Sequence, residues 1–134
     1  MRRTPDGMRT LAVFLALTGP AAAQTSVAPA EFLDRVTPGT IVFTDTADGS
    51  LVGVEEFLEG RRSFYAHWDG RCTVGRITTD DAQLCFHYDD GSTHCWWPFE
   101  RDGVLHARSV DDPTHVQRAE PTTEVVRCEG RPTS

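Results

Sequence analysis

Residues 69–99, DGRCTVGRITTDDAQLCFHYDDGSTHCWWPF, decide how the chain folds. They hold three of the four cysteines, two of the three tryptophans and two of the five histidines. Asp69-Gly70, Asp80-Asp81 and Asp89-Asp90-Gly91 interrupt runs of β-branched and aromatic residues. Asp-Gly between such runs is a hairpin signal, because the glycine accepts the positive φ that tight turns demand. The stretch therefore reads as successive antiparallel strands over 72–79, 83–88 and 93–99.

The hairpin over 85–99 admits two registers. If residues 89–91 form a three-residue loop with Gly91 left-handed, Cys85 sits opposite Cys95. A cross-strand disulfide can then form, leaving Cys72 for Cys128. If Asp90-Gly91 is a two-residue turn, His87 faces His94 and the two cysteines lie on opposite sides. That second register collects Leu84, Phe86, Tyr88, Trp97 and Phe99 on one apolar face. The disulfide argument favours the first register and the hydrophobic pattern favours the second.

The same punctuation continues on both sides. Strands are expected over 40–46, 51–58 and 62–68 before the central stretch, and over 104–110, 115–119 and 123–128 after it. About eight short strands linked by tight turns predict a mainly β fold, an antiparallel meander closed into a small barrel or strongly curled sheet. Closure is expected because it removes exposed strand edges. One short helix over 27–36 precedes the strands. Ser26 is its expected cap, Pro29 fits its first turn and Thr37-Pro38-Gly39 stops it. Phe32, Leu33 and Val36 share a face, which predicts a helical lid on a barrel end.

Residues 1–23 read as an export signal rather than structure. Arg2, Arg3 and Arg9 form a basic n-region, residues 11–17 a short apolar core, and Ala21-Ala22-Ala23 a cleavage site before Gln24. The start is Met1 or Met8. The apolar run is shorter than the roughly 20 residues a bilayer span needs, and no cysteine at the cleavage site offers a lipid anchor. Residues 24–134 are then a single domain, placed in the periplasm or secreted.

All thirteen basic residues are arginines. Removing residues 1–23, with three Arg and one Asp, takes the formal charge from −7 to −9. An acidic domain without a basic run repels phosphate backbones and anionic lipid, so nucleic acid and membrane surfaces are not expected partners. Four cysteines in an exported chain predict two disulfides. None forms a Cys-x-x-Cys pair, so neither a zinc knuckle nor a redox dithiol is expected.

Few residues suggest chemistry. Of Glu55-Glu56 and Arg61-Arg62 only one member each can face the interior; Glu55 with Arg62 would there grip a polar ligand, and otherwise the four make surface pairs. Trp68, and whichever of Trp96 and Trp97 faces outward, suggest a recognition patch for a protein or a sugar ring. These five residues, Glu55, Arg62, Trp68, Trp96 and Trp97, are the candidate ligand contacts. His67, His87 and His94 lack a metal-ligand spacing, and no cofactor is expected. No Gly-x-Ser-x-Gly elbow surrounds Ser50, Ser63, Ser92 or Ser109, and oxidised cysteines supply no thiol nucleophile.

Gly53-Val-Glu-Glu-Phe-Leu58, Gly60-Arg-Arg62, Asp69-Gly-Arg-Cys72, Leu84-Cys-Phe-His-Tyr88 and Cys95-Trp96 together resemble a family of small exported bacterial proteins of uncharacterised function. Its signature is Cys-Phe-x-Tyr followed by Cys-Trp. This chain departs from it in having Gly75-Arg76-Ile77 where the family usually has an aromatic. The resemblance implies the architecture and an exported location, and adds no active site. Three readings follow: a non-enzymatic exported β-domain binding a protein or small ligand, an inhibitor of a secreted hydrolase, or a small metal-binding protein or enzyme using His and Glu residues.

Overall fold

The computed structural model describes residues 23–128, together with Arg2 and residues 12–17; most of the expected signal segment, 1–23, lies outside the described residues. In chain order the elements are β1 (Gln24–Ser26), α1 (Pro29–Val36), β2 (Gly39–Asp45), β3 (Leu51–Leu58), β4 (Arg62–His67), β5 (Cys72–Thr79), β6 (Leu84–Tyr88), β7 (Thr93–Arg101), β8 (Val104–Ser109) and β9 (Val116–Thr122). Strands β2 to β9 pair antiparallel in sequence order, and β9 returns to β2. The expected meander is thus a closed eight-stranded barrel.

Alternation along each strand decides what the barrel encloses. In β3, Gly53, Glu55 and Phe57 are buried while Val54 and Glu56 lie on the outer face. Their cross-strand partners are His67, Tyr65 and Ser63 on β4, which point the same way. At one end the interior is filled by Ile41, Phe57, Ile77, Leu84, Phe86, Leu105 and Ala119. Helix α1 closes that end with Phe32, Leu33 and Val36, and the Phe32 ring meets Phe57 edge-on at 6.2 Å. Arg35 in the last helical turn anchors it to Glu100 of β7 at 2.7 Å. The short turns β3–β4, β5–β6 and β7–β8 share this end.

The helix begins later than expected. Pro29 occupies its first position, where a missing N–H costs nothing, and Ala28 precedes it with no side-chain cap. Ser26 is not the cap. It belongs to β1, which pairs Gln24, Thr25 and Ser26 with Arg101, Glu100 and Phe99. Beyond Trp96, β7 no longer pairs with β6, and β1 takes up the edge left there.

The 85–99 hairpin adopts the three-residue register. Cys85 faces Cys95, and Tyr88 N–H donates to the Ser92 carbonyl at 2.9 Å across a loop in which Gly91 has φ +88°. This register puts Trp96 inside with Leu84, Phe86 and Tyr88, and Trp97 and Phe99 outside. The apolar count that favoured the alternative is met differently: Phe99 is covered by stacking on His106 at 5.1 Å and by the Arg101 and Arg108 guanidiniums. Disulfides join Cys85 to Cys95 and Cys72 to Cys128.

Residues 123–128, expected as a last strand, are not one. β9 ends beside β2, whereas Cys128 is bonded to Cys72 at the start of β5. The segment therefore crosses the outer face of β3 and β4, where Val126 is buried.

Candidate functional site

The end opposite α1 is open. Here the barrel holds a cavity of about 380 Å³, at the small end of the ~300–1,000 Å³ usual for small-molecule sites. Phe32 forms its floor, Phe43, Leu84, Phe86, Tyr65, Tyr88 and Trp96 its walls, and Ser92, Asp111 and His115 its mouth. The inward positions near the mouth carry His67, His94, His115 and Gln117, so polarity rises from floor to opening.

Glu55 lies in the wall and is 2 % exposed. Tyr88 donates its phenol O–H to the Glu55 carboxyl at 3.1 Å. Burial is the main cause that lifts the Glu55 pKa from 4.5 to about 8, opposed by the neighbouring Ser63 and Tyr88 hydroxyls. The Ser63 hydroxyl lies near the carboxyl without completing a hydrogen bond among the described residues. Tyr65 and Tyr88 are both held protonated, first by burial and then by the nearby Glu55.

Two glycines make room for these rings. The Tyr65 ring lies across Gly53, where an added Cβ would collide with it, and donates its O–H to the Val52 carbonyl at 3.2 Å. The Tyr88 ring lies over Gly75, 3.1 Å from where a Cβ would sit. An aromatic cluster results, with Tyr65 and Tyr88 centroids 5.8 Å apart, Phe86 stacked on Tyr88 at 6.0 Å, and His94 6.1 Å from Tyr88. On the other side of the mouth Trp96 contacts His115 at 5.8 Å. Gln117 donates to His115 Nε2 at 2.9 Å, which leaves Nδ1–H to reach Asp45 at 3.3 Å.

Each turn at the open end is built on an aspartate. Asp48, Asp69, Asp90 and Asp112 accept the backbone N–H two residues on, from Ser50, Arg71, Ser92 and Thr114. Hydrogen bonds to these partners hold all four carboxyls below their usual range. Asp69 is also paired with Arg71 at 2.7 Å, whereas Asp48, Asp90 and Asp112 add negative charge to the turns around the opening.

Of the sequence candidates, Glu55 and Trp96 meet at the cavity. Arg62 is exposed on the outer face opposite Leu58 and Arg76, so it lies across the barrel wall from Glu55. Trp97 lies outside opposite Arg108, and Trp68 is 71 % exposed in the β4–β5 turn. His67 and His94 face the mouth, but His87 points outward between Thr78 and Thr93. Among the described residues no three His, Cys, Asp or Glu side chains are grouped to hold a metal. Tyr65, Tyr88, His115 and Gln117 carry no local sequence signal that marks them as cavity residues, yet all four line it. Once Glu55 is set inward, strict alternation and the strand registers bring Tyr65 and His67 to the same face.

No family model, curated protein or solved structure matches this chain. Fold and site alone define its class: a small, disulfide-pinned antiparallel β-barrel with an internal cavity open at one end. The two disulfides fit an oxidising compartment. Among the described residues no helix is long and apolar enough to cross a membrane.

Proposed function

We propose that the protein is an exported, non-enzymatic binder of a small molecule, related to the small exported bacterial proteins whose Cys-Phe-x-Tyr and Cys-Trp signature it resembles. The observation that carries this reading is the cavity itself, floored by Phe32 of α1, walled by aromatics and open toward the end that carries the four aspartate turns. Glu55, Tyr65, Tyr88 and Trp96 contact the ligand; Arg62, Trp68 and Trp97 do not. A hydrolase inhibitor fits less well, because it needs a projecting loop and the turns at both ends are short.

One observation favours an enzyme as the second reading. A carboxyl kept protonated near neutrality is what a general acid requires. The side chains against it, Tyr65 and Tyr88, are held protonated and supply neither base nor nucleophile, and His67, His94 and His115 stand farther out at the mouth.

Native mass spectrometry of the protein recovered from a periplasm, followed by a denaturing run, tests the binding reading. Wild type should carry a small mass that denaturation releases. Ser109 lines the cavity opposite Trp96, so Ser109→Trp, which fills that space, should be bare, with both disulfides intact. A bare wild type would overturn the reading.

A further inference from the structure

We propose that the cavity takes a small organic cation, an ammonium group on an aromatic or other apolar body, with Glu55 as its counter-ion. The inference rests on the small-molecule reading above and adds the ligand's charge.

Charge inventory carries it. Among the described residues no lysine or arginine lines the cavity, and the polar groups against the Glu55 carboxyl are the hydroxyls of Tyr88, at 3.1 Å, and Ser63. A carboxylate offers about four acceptor sites, so Glu55 when ionised has room for a further donor. The buried Ser63 Oγ beside it lacks a hydrogen bond among the described residues. An anionic ligand would find no lysine or arginine among the described lining residues to pair with, and outside it would meet the turn carboxylates of Asp48, Asp90 and Asp112. A cation meets the π faces of Tyr65, Tyr88, Phe86 and Trp96, which attract positive charge where water is excluded. The lone buried carboxyl is costly to ionise by itself; an ammonium beside it offsets that cost by direct attraction, which the low-dielectric interior strengthens. Free Glu55 is mostly protonated at pH 7, so binding of the ammonium form displaces the carboxyl proton to solvent.

Three probes that share one body and differ in head group test this: benzylamine, benzyl alcohol and benzoate, titrated calorimetrically at pH 7 in two buffers of different ionisation enthalpy. Benzylamine should bind at least tenfold more tightly than benzyl alcohol and release close to one proton, and benzoate should not bind. Its affinity should rise about tenfold per unit between pH 6 and 7.5, as proton linkage requires. The titratable groups facing Glu55 are Tyr65 and Tyr88, and farther out His67, His94, His115 and Asp45 at the mouth. Glu55→Gln keeps all of these groups in place and so isolates the part played by the carboxyl. That variant should lose tenfold or more in benzylamine affinity relative to benzyl alcohol, and with it the proton release and the pH slope. Circular dichroism confirms that it folds, and the wild-type proton count stands without it. Equal binding of amine and alcohol, or amine binding indifferent to Glu55→Gln, overturns the cation inference but leaves a small-molecule site. Failure of all three probes also overturns it, and the mass measurement then judges the underlying reading separately.

Discussion

At the scale of single residues, Glu55 is the group whose chemistry the fold changes most. The barrel buries it among Tyr65, Tyr88 and Ser63 and lifts its pKa from 4.5 to about 8. Between those values the native state holds a proton that the unfolded state has released, so stability falls as pH rises. The stabilising contribution is fully present below about pH 4.5 and is lost through pH 8. At about 1.4 kcal/mol per pKa unit, the shift caps the loss at roughly 5 kcal/mol. Glu55→Gln keeps the shape and cannot ionise. Urea titrations from pH 4.5 to 8.5 should therefore show wild type losing stability relative to the variant, with the variant the more stable at pH 8. A constant difference across that range would mean that Glu55 is solvated in solution.

At the scale of elements, the two disulfides have unlike tasks. Cys85–Cys95 spans 10 residues across a hairpin already held by the β6 and β7 ladders. Cys72–Cys128 spans 56 and holds residues 123–128, which belong to no strand, against β3 and β4. Loop-closure entropy assigns about 3 kcal/mol to the first and about 4 kcal/mol to the second. Cys72→Ser/Cys128→Ser should thus lower the melting temperature more than Cys85→Ser/Cys95→Ser. It should also open residues 123–128 to limited proteolysis while leaving the barrel intact; equal sensitivity in the two variants would contradict this. The elements themselves were largely legible in the chain, since Asp48-Gly49, Asp69-Gly70 and Asp90-Gly91 mark turns by a local mechanism. What was not legible depended on distant partners. Ser26 joins a strand because β7 offers an edge, and residues 123–128 make none because Cys72 pulls them aside. Trp96 rather than Trp97 faces inward because the Gly91 loop fixes the register. Glu55 could be singled out, but its partner could not: nothing local announces that Tyr88, 33 residues away, reaches it while Arg62 lies outside.

At the scale of the whole molecule, one short helix makes a closed barrel into a one-ended container. α1 is amphipathic and only 8 residues long, too short to be stable alone, so the barrel end must hold it. Phe32 is the residue that does this. It is 1 % exposed, packs on Phe57 and forms the cavity floor. Its truncation removes a contact between helix and barrel and leaves a void that joins the cavity. A buried Phe→Ala change costs about 3–5 kcal/mol, against roughly 5–15 kcal/mol for a whole domain. Phe32→Ala should accordingly shift the urea midpoint strongly downward at unchanged m-value, and Phe32→Leu should shift it less while preserving the fold. If α1 were only a peripheral cover, both substitutions would stay within about 0.5 kcal/mol of wild type, as surface changes do. The graded pair distinguishes a structural plug from a decoration, and with it whether the cavity has one way in or two.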